Sequence, residues 1–322
     1  MNTLALQRYP EQADLPDIFE VDLEIAADYA DATRAKATRQ AYASDWVHFM
    51  TYCKARGVES LPAEPATIAG YLSHFAATLK PSTLQRRLSA IAVQHKGAGI
   101  SSPTAHPIVE TVWQGIRRTV GVRQDGKTAL RSEQVREMVE VLPSGLIGLR
   151  DRAVLLVGFI GAFRRSELVG LNAEDLTLSK RGLVVTVRHS KTDQTGAGIL
   201  KAIPYGNPAT CPVMALQDWM AAAGITSGAV FRSVKKSGQV GERLSGKGVA
   251  RIVKAAASMI GADPASVAGH SLRSGFATSA ALAGAGDRAI MNQTGHRSRA
   301  MVDRYIRVAT VWDDNAASMI GL

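Results

Sequence analysis

A polar, glycine-bearing stretch at residues 121–130 interrupts the apolar pattern of the chain and most constrains how the chain can fold. It begins Gly-Val-Arg-Gln-Asp-Gly-Lys-Thr-Ala, a composition typical of a linker. The chain has 322 residues, more than most single domains contain. We therefore predict two domains, at residues 21–120 and 131–322, joined by this linker and preceded by a flexible tail at residues 1–20.

The segment before the linker carries apolar side chains at helical spacing almost throughout. The apolar positions of its first clear helix, over 38–56, are Tyr42, Trp46, Phe49, Met50 and Cys53. Their spacing of three or four residues predicts an amphipathic helix that Gly57 ends. Further helices are predicted over 67–79, 81–94 and 107–119. Together they form a helical bundle of about 100 residues, the usual size of a small domain.

The segment after the linker mixes helices with a few strands. Residues 151–161 are strongly apolar and predict a helix, whereas 183–188 is rich in β-branched residues, which favour strands. A turn-rich stretch at 192–198 leads to a second strand over 199–204. The predicted fold is therefore mainly α: an N-terminal helical bundle, and a mostly α C-terminal domain with a small antiparallel β-sheet.

The charge distribution favours a polyanionic partner. The formal net charge is +10, yet residues 1–31 contain eight acidic residues against Arg8 alone. The remaining chain is therefore more basic than the total suggests, which suits nucleic acid. Aromatic residues are few, so single-strand stacking platforms are not indicated.

Several classes of site are not indicated by the sequence. Cys53 and Cys211 lie far apart and form no CxxC motif, so neither a disulfide framework nor a zinc site is expected. The sequence shows neither clustered carboxylates nor an HExxH motif, so neither a metal nor another cofactor is expected. The longest apolar run is too short to span a bilayer, and the polar N-terminus shows no signal peptide. We therefore expect a cytoplasmic protein without a membrane partner.

Polar residues suited to phosphoryl chemistry follow one another in the second half of the chain and end in a tyrosine. They are Arg164, Lys191, His270-x-x-Arg273, Gly295-His296 and Tyr305. The set fits attack of a phenol oxygen on a phosphodiester, with cations that hold the phosphate. Taken singly, each residue also has an ordinary structural explanation, such as an ion pair of Arg164 with Glu167 one helical turn away.

In order and spacing this set resembles the tyrosine recombinases, or phage integrase family. The resemblance extends from about residue 30 to the C-terminus. The family pattern Arg-x-x-Glu fits Arg164 and Glu167 rather than Arg165, while Ala162 stands where the family customarily has glycine. The resemblance implies a site-specific recombinase that cleaves and rejoins double-stranded DNA without a metal or ATP.

The resemblance implies a role for each polar residue of the set. Tyr305 would attack the phosphodiester and pass its proton to His270, which yields a 3′-phosphotyrosine link. Lys191, in the predicted hairpin, would protonate the leaving 5′ oxygen, with Lys201 on the next strand as the alternative.

The remaining members of the set would act on the phosphate. Arg164 and Arg273 would clamp its non-bridging oxygens, since guanidinium groups bind phosphate bidentately. His296 would stabilise the negative charge on these oxygens, and Glu167 would orient Arg164.

Candidate DNA-contacting residues lie at helix starts, where backbone amides suit phosphates, or on basic helix faces. A solvated surface is the other explanation for basic residues such as Arg86. The candidates are Thr38, Arg39, Gln40, Ser82, Thr83, Gln85, Arg86, Lys247 and Arg251. The last two resemble the family's groove-reading helix.

The end of the chain is a candidate for subunit contacts. Residues 313–322 form a short apolar face that could pack on its own domain. The resemblance implies instead that this terminal helix docks into a neighbouring subunit of a homotetramer on DNA with paired inverted half-sites. Two other functions remain open at this point: a type IB topoisomerase, which shares the catalytic set, and a DNA-binding protein without catalysis.

Overall fold

The computed structural model describes residues 33–121, 127–188, 198–296 and 298–309, together with 22, 25, 26 and 29. The chain divides into two compact units, Met1–Asp125 and Gly126–Leu322. The predicted tail and the middle of the predicted linker lie outside the described residues. The mainly helical fold class with a small antiparallel sheet is confirmed.

Over residues 33–121 the first unit is a bundle of four α-helices. They are α1 (Lys36–Lys54), α2 (Pro65–Phe75), α3 (Pro81–Gly97) and α4 (Pro107–Val120). A proline opens α2, α3 and α4, where its fixed φ suits the first helical position and its missing N–H costs nothing. Phe49, Tyr71 and Leu84 are fully buried between the helices, and Cys53 lies in the same core.

The second unit is built on eight α-helices among its described residues. They are α5 (Ser132–Glu140), α6 (Leu146–Ile160), α7 (Arg165–Gly170), α8 (Pro212–Ala222), α9 (Gly246–Met259), α10 (Ser271–Leu282), α11 (Asp287–Thr294) and α12 (Arg299–Ala309). The apolar helix α6 runs through the core and packs against α8 and α10. The residues that follow its end, 161–163, are buried as well.

Two small antiparallel sheets complete this unit. The first contains β1 (Leu176–Ser179), β2 (Gly182–Val187) and β3 (Ile199–Pro204) in that order, and the second pairs β4 (Arg232–Val234) with β5 (Val240–Arg243). The strands predicted over 183–188 and 199–204 correspond to β2 and β3. The short strands β1, β4 and β5 were not predicted.

The last residues of the predicted linker, 128–130, are bound closely to α10 and to the loop before it. Thr128 N–H donates to the Ser266 carbonyl at 2.8 Å, and Leu130 N–H donates to the Ser271 carbonyl at 3.2 Å. Gly275 allows this approach, because a Cβ at that position would stand 1.8 Å from the Leu130 carbonyl oxygen. Leu130 itself is fully buried. The segment 128–130 is therefore part of the folded core of the second unit.

Candidate active site

A sharp turn after α6 delivers Arg164. The helix ends at Ile160, and Ala162 then adopts a left-handed conformation with φ of 45°. This region is unfavourable for a residue with a side chain and costs about 1 to 2 kcal/mol. Phe163 is 2% exposed and anchors the turn in the core. Arg164 follows as the N-cap residue, directly before α7.

Glu167 binds both the backbone and the side chain of Arg164. Its Oε2 accepts a hydrogen bond from the Arg164 backbone N–H at 2.9 Å, and its Oε1 accepts one from Arg164 Nη1 at 2.5 Å. The Glu167 carboxylate is nearly buried, while the Arg164 side chain is 18% exposed. Hydrogen bonds between charged groups are the strong ones, so the guanidinium is fixed in direction.

Arg273 lies in the first turn of α10 and is 1% exposed. Its Nη1 donates to the Ala162 carbonyl at 2.8 Å, so it grips the same turn that carries Arg164. Its Nη2 is buried and has no hydrogen-bond partner among the described residues. The pKa of Arg273 is lowered to about 10, first by burial and then by the charge of Arg164, while the charge of Glu167 opposes both. Burial of a guanidinium with an unpaired N–H donor costs free energy, and a hydrogen bond from that donor to an anion would offset the cost.

Tyr305 lies on α12, which packs on α10 and α11. A small apolar cluster of Ala277, Ile290 and Val302 joins these helices, and Tyr305 packs against it. The tyrosine hydroxyl lies 3.5 Å from His270 Nε2, at the outer limit of a hydrogen bond. The two residues are 35 positions apart in the sequence, so the tertiary fold brings them together.

His296 stacks on Tyr305, with ring centroids 5.9 Å apart and an interplanar angle of 24°. The pKa of His296 is lowered to about 4, first by burial and then by the charges of Arg273 and Arg164. The Thr294 hydroxyl donates to the Ile290 carbonyl at 2.7 Å and lies 2.8 Å from His296 Nδ1. Because that hydroxyl has a single proton, Nδ1 donates to it, and the neutral ring keeps a lone pair on Nε2.

Of the two candidate lysines, Lys191 lies outside the described residues. Lys201 is 3% exposed on β3. Its Nζ donates to the Gly161 carbonyl at 2.8 Å and to the Ala162 carbonyl at 3.3 Å. The alternative lysine of the sequence interpretation is thus bound to the turn before Arg164.

Two further residues of the site were missed by sequence reasoning. Thr294 fixes the ring of His296, as described above. Gln293 Nε2 donates to the Ile160 carbonyl at 2.8 Å and to the Ala202 carbonyl at 3.2 Å, so it ties α11 to the end of α6 and to β3. The one signal for both is their position just before the Gly295-His296 pair.

The candidate DNA-contacting residues are mostly exposed side chains. Thr38 and Arg39 do not open a helix as expected, since α1 begins at Lys36. Their amides already donate to the Ala35 carbonyl at 2.8 and 3.1 Å, and the Thr83 amide donates to the Lys80 carbonyl at 2.8 Å. These amides are therefore not available to a phosphate, and any contact there must come from side chains.

Most of the remaining candidates have exposed side chains, and Arg86 is in addition held by an ion pair. The exposed ones are Gln40, Ser82, Gln85, Lys247 and Arg251. Arg86 is held by Asp45, whose two carboxylate oxygens accept from Arg86 Nε at 2.7 Å and from Nη2 at 3.0 Å. The Arg86 side chain is nonetheless 49% exposed, so the free edge of the guanidinium faces solvent.

The described part of the chain contains no cluster of histidine, cysteine and acidic side chains that could hold a metal ion. Among the same residues, no helix combines the length and the apolar character that crossing a bilayer requires.

Comparison with known proteins gives consistent matches. Residues 128–311 match the model of the phage integrase family. An integrase/recombinase xerD homolog from Selenomonas ruminantium is 41% identical over 290 residues, which cover 88% of this chain and 85% of that protein. A tyrosine recombinase XerC from Syntrophus aciditrophicus (strain SB) is 33% identical over 172 residues, 52% of each chain.

A solved structure has a similar fold. XerH site-specific recombinase bound to palindromic difH substrate, in a post-cleavage complex, superposes with a TM-score of 0.68 at 15% identity. The match covers 100% of this chain and 96% of that one. At this identity the likeness concerns the fold alone.

Proposed function

Because the chain belongs to the phage integrase family and is a site-specific DNA recombinase, we propose that it cleaves and rejoins double-stranded DNA through Tyr305, by way of a 3′-phosphotyrosine intermediate. The placement of Tyr305 carries this proposal. Its hydroxyl lies 3.5 Å from His270 Nε2, and its ring stacks on His296.

In the cleavage step, Tyr305 Oη forms a bond to the phosphorus and the bond from phosphorus to the 5′ oxygen breaks. A free tyrosine has a pKa of about 10, so at neutral pH the phenol must lose its proton as it attacks. His270 Nε2 accepts that proton, and Lys191 gives one to the leaving 5′ oxygen. The phosphotyrosine bond conserves the energy of the phosphodiester, so rejoining by the reverse route requires no ATP.

The two arginines supply the phosphate site. Arg164 is directed by Glu167, and Arg273 offers a buried Nη2 that has no partner among the described residues. A phosphate between them gains charge-assisted hydrogen bonds and removes the cost of the unused donor. The phosphate charge also favours the protonated form of His296, which can then donate from Nε2. These cations provide the stabilisation that a metal ion would otherwise supply, and we expect cleavage to proceed in EDTA.

The test uses DNA that carries the recognition site and a nick that traps the cleaved product. The wild-type protein should form a covalent protein–DNA adduct, whereas Tyr305→Phe should bind the DNA with nearly the same affinity and form none. Tyr205→Phe is the matched control, because Tyr205 is an exposed tyrosine of the same unit. An adduct that persists in Tyr305→Phe would place the nucleophile elsewhere.

We propose that the DNA substrate has paired inverted half-sites. The related XerH structure contains a palindromic substrate, which agrees with such an arrangement. Within the family, the order of the catalytic residues and the helical pattern also resemble the Cre recombinase. Recombination between two sites, rather than relaxation of plasmids without such sites, is the expected outcome in a paired assay. The reaction would take place in the cytoplasm, where DNA is available.

We propose that the active assembly is a homotetramer linked by the C-terminal segment. Residues 313–322 lie outside the described residues, and the proposal rests on their short apolar face and on the family resemblance. Deletion of residues 313–322 should leave binding of a monomer to one half-site intact but reduce cooperative binding and recombination. A truncated protein that recombines paired sites at the normal rate would refute this arrangement.

We propose that DNA is contacted by the candidate side chains on α1, α3 and α9. Gln85 and Arg86 follow Ser82 by three and four residues, and all three are exposed on one face of α3. Lys247 and Arg251 are exposed one turn apart on α9. Such groups suit phosphates and base edges.

A further inference from the structure

The last carbonyl groups of α6 and its turn are each bound by a side chain from another element. The carbonyl of Ile160 accepts from Gln293 on α11, and that of Gly161 accepts from Lys201 on β3. The carbonyl of Ala162 accepts from Arg273 on α10 and from Lys201. Helix ends leave such carbonyls without intrahelical partners. Here they form a common attachment point for three elements of the candidate site.

Apart from Arg273, Lys201 is the most buried of the described cationic side chains around the turn 160–163. It alternates with Leu200 and Ala202, which are exposed, so its side chain lies on the packed face of the sheet. The Phe163 ring covers its ammonium at 4.8 Å from Nζ to the ring centroid. Burial lowers the pKa of Lys201 to about 7, with Arg273 and Arg164 acting in the same direction and Glu167 opposing.

A buried ammonium group is expensive, and an apolar side chain of similar length would fill the space at lower cost. The carbonyls of a helix C-terminus offset part of this cost, because they carry the negative end of the helix dipole. The turn they belong to contains the unfavourable backbone of Ala162 and leads directly to Arg164. The cation therefore sits where it can stabilise a strained segment on which both arginines depend.

We infer that Lys201 is a positioning residue, which fixes the turn 160–163 so that Arg164 and Arg273 meet one phosphate, and that it does not protonate the leaving oxygen. Both carbonyl contacts and the Phe163 ring enclose its Nζ. An acid must instead reach the leaving 5′ oxygen. The catalytic part of this inference rests on the proposed function, whereas the structural part, that Lys201 fixes the turn, does not.

The first experiment measures the turn itself. Amide hydrogen exchange over residues 158–168 should rise at least tenfold in Lys201→Met, because the amides of Gly161, Ala162 and Phe163 donate to carbonyls in the last turn of α6 and lose protection when the turn loosens. The control is Lys180→Met, an exposed lysine between β1 and β2 whose loss should change exchange nowhere in this segment. Unchanged protection in Lys201→Met would overturn the positioning role.

The second experiment measures single-turnover cleavage of ordinary DNA and of DNA with a 5′-bridging sulfur. Lys201→Met should cleave about a hundredfold more slowly on both substrates, since small misplacements of reacting groups cost about this much. DNA affinity should stay within twofold of wild type. Rescue by the sulfur, whose thiolate leaves without an acid, would show that Lys201 is the acid and overturn the inference.

A double-mutant cycle tests whether Lys201 acts through the arginine. In an Arg164→Ala background, Lys201→Met should slow cleavage by less than about fivefold, because the two arginines can no longer meet one phosphate once Arg164 is absent. A full hundredfold loss in that background would mean an independent role and refute the inference. If the wild-type protein itself forms no adduct, the proposed function fails, while the hydrogen exchange result still decides the positioning role.

Discussion

Replacement of Glu167 by glutamine tests the charge balance of the site with little change of shape. The Glu167 carboxylate is nearly buried, accepts two hydrogen bonds from Arg164, and acts electrostatically on Arg273 and Lys201. Glutamine keeps one acceptor oxygen but brings an amide N–H₂ against a donor. The variant therefore leaves a cluster of buried or half-buried cations without its neutralising partner.

The expected loss of stability is large for an isosteric change. A hydrogen bond between charged groups contributes about 1.5 to 3 kcal/mol, and removal of one partner from a buried ion pair costs about 3 to 5 kcal/mol. We expect a loss of about 3 kcal/mol for Glu167→Gln. For a domain of this size each kcal/mol lowers Tm by about 2 to 4 °C, so the transition of the second unit should fall by about 10 °C.

The assay is differential scanning calorimetry at low salt, with and without inorganic phosphate. Phosphate should raise Tm more in Glu167→Gln than in wild type, because an anion restores the missing negative charge. Glu140→Gln is the control, since Glu140 is an exposed acid on α5. A Tm equal to that of the control, or an identical phosphate effect in both proteins, would refute the reasoning.

Three further predictions concern protonation and DNA contacts. The pKa of His296 is lowered from 6.5 to about 4, so between these pH values the unfolded chain binds a proton that the folded one does not. The free energy of unfolding should therefore keep its full value above pH 6.5 and fall by about 3 kcal/mol as the pH drops to 4. Urea titrations should show a flatter dependence of this free energy on pH in His296→Asn. Lys191→Ala should slow cleavage of ordinary DNA far more than of sulfur-bridged DNA, and equal slowing would remove Lys191 from the acid role. Arg86→Met should weaken DNA binding and reduce the salt slope by about one, as measured by fluorescence anisotropy; an unchanged slope would mean that Arg86 serves only its pair with Asp45.

Much of the fold could be predicted from local patterns. The stripes of apolar residues located the helices of the first unit to within a few residues, and β-branched runs located β2 and β3. The strands β1, β4 and β5 escaped because they have only three or four residues and half-exposed side chains. The start of α1 escaped as well, since Ala35 precedes it without a side-chain cap.

The sequence predicted which residues belong to the candidate site but not the contacts among them. The order of arginines, histidines and tyrosine along the chain named the set, and the spacing of Arg164 and Glu167 indicated their pair. The contact of Arg273 with the Ala162 carbonyl spans 111 positions, and that of Lys201 with the Gly161 carbonyl spans 40. No local pattern encodes such contacts. A buried lysine and a solvated one look alike in a sequence.

The close packing of Leu130 on Gly275 also sets a rule for construction of chimeras. An exchanged N-terminal unit must join the chain upstream of Thr128, because residues 128–130 are hydrogen-bonded to the loop and helix that present Arg273. A junction placed three residues later would replace a buried side chain and the backbone on which α10 rests. The modular boundary of this protein therefore lies before the visible end of its linker sequence.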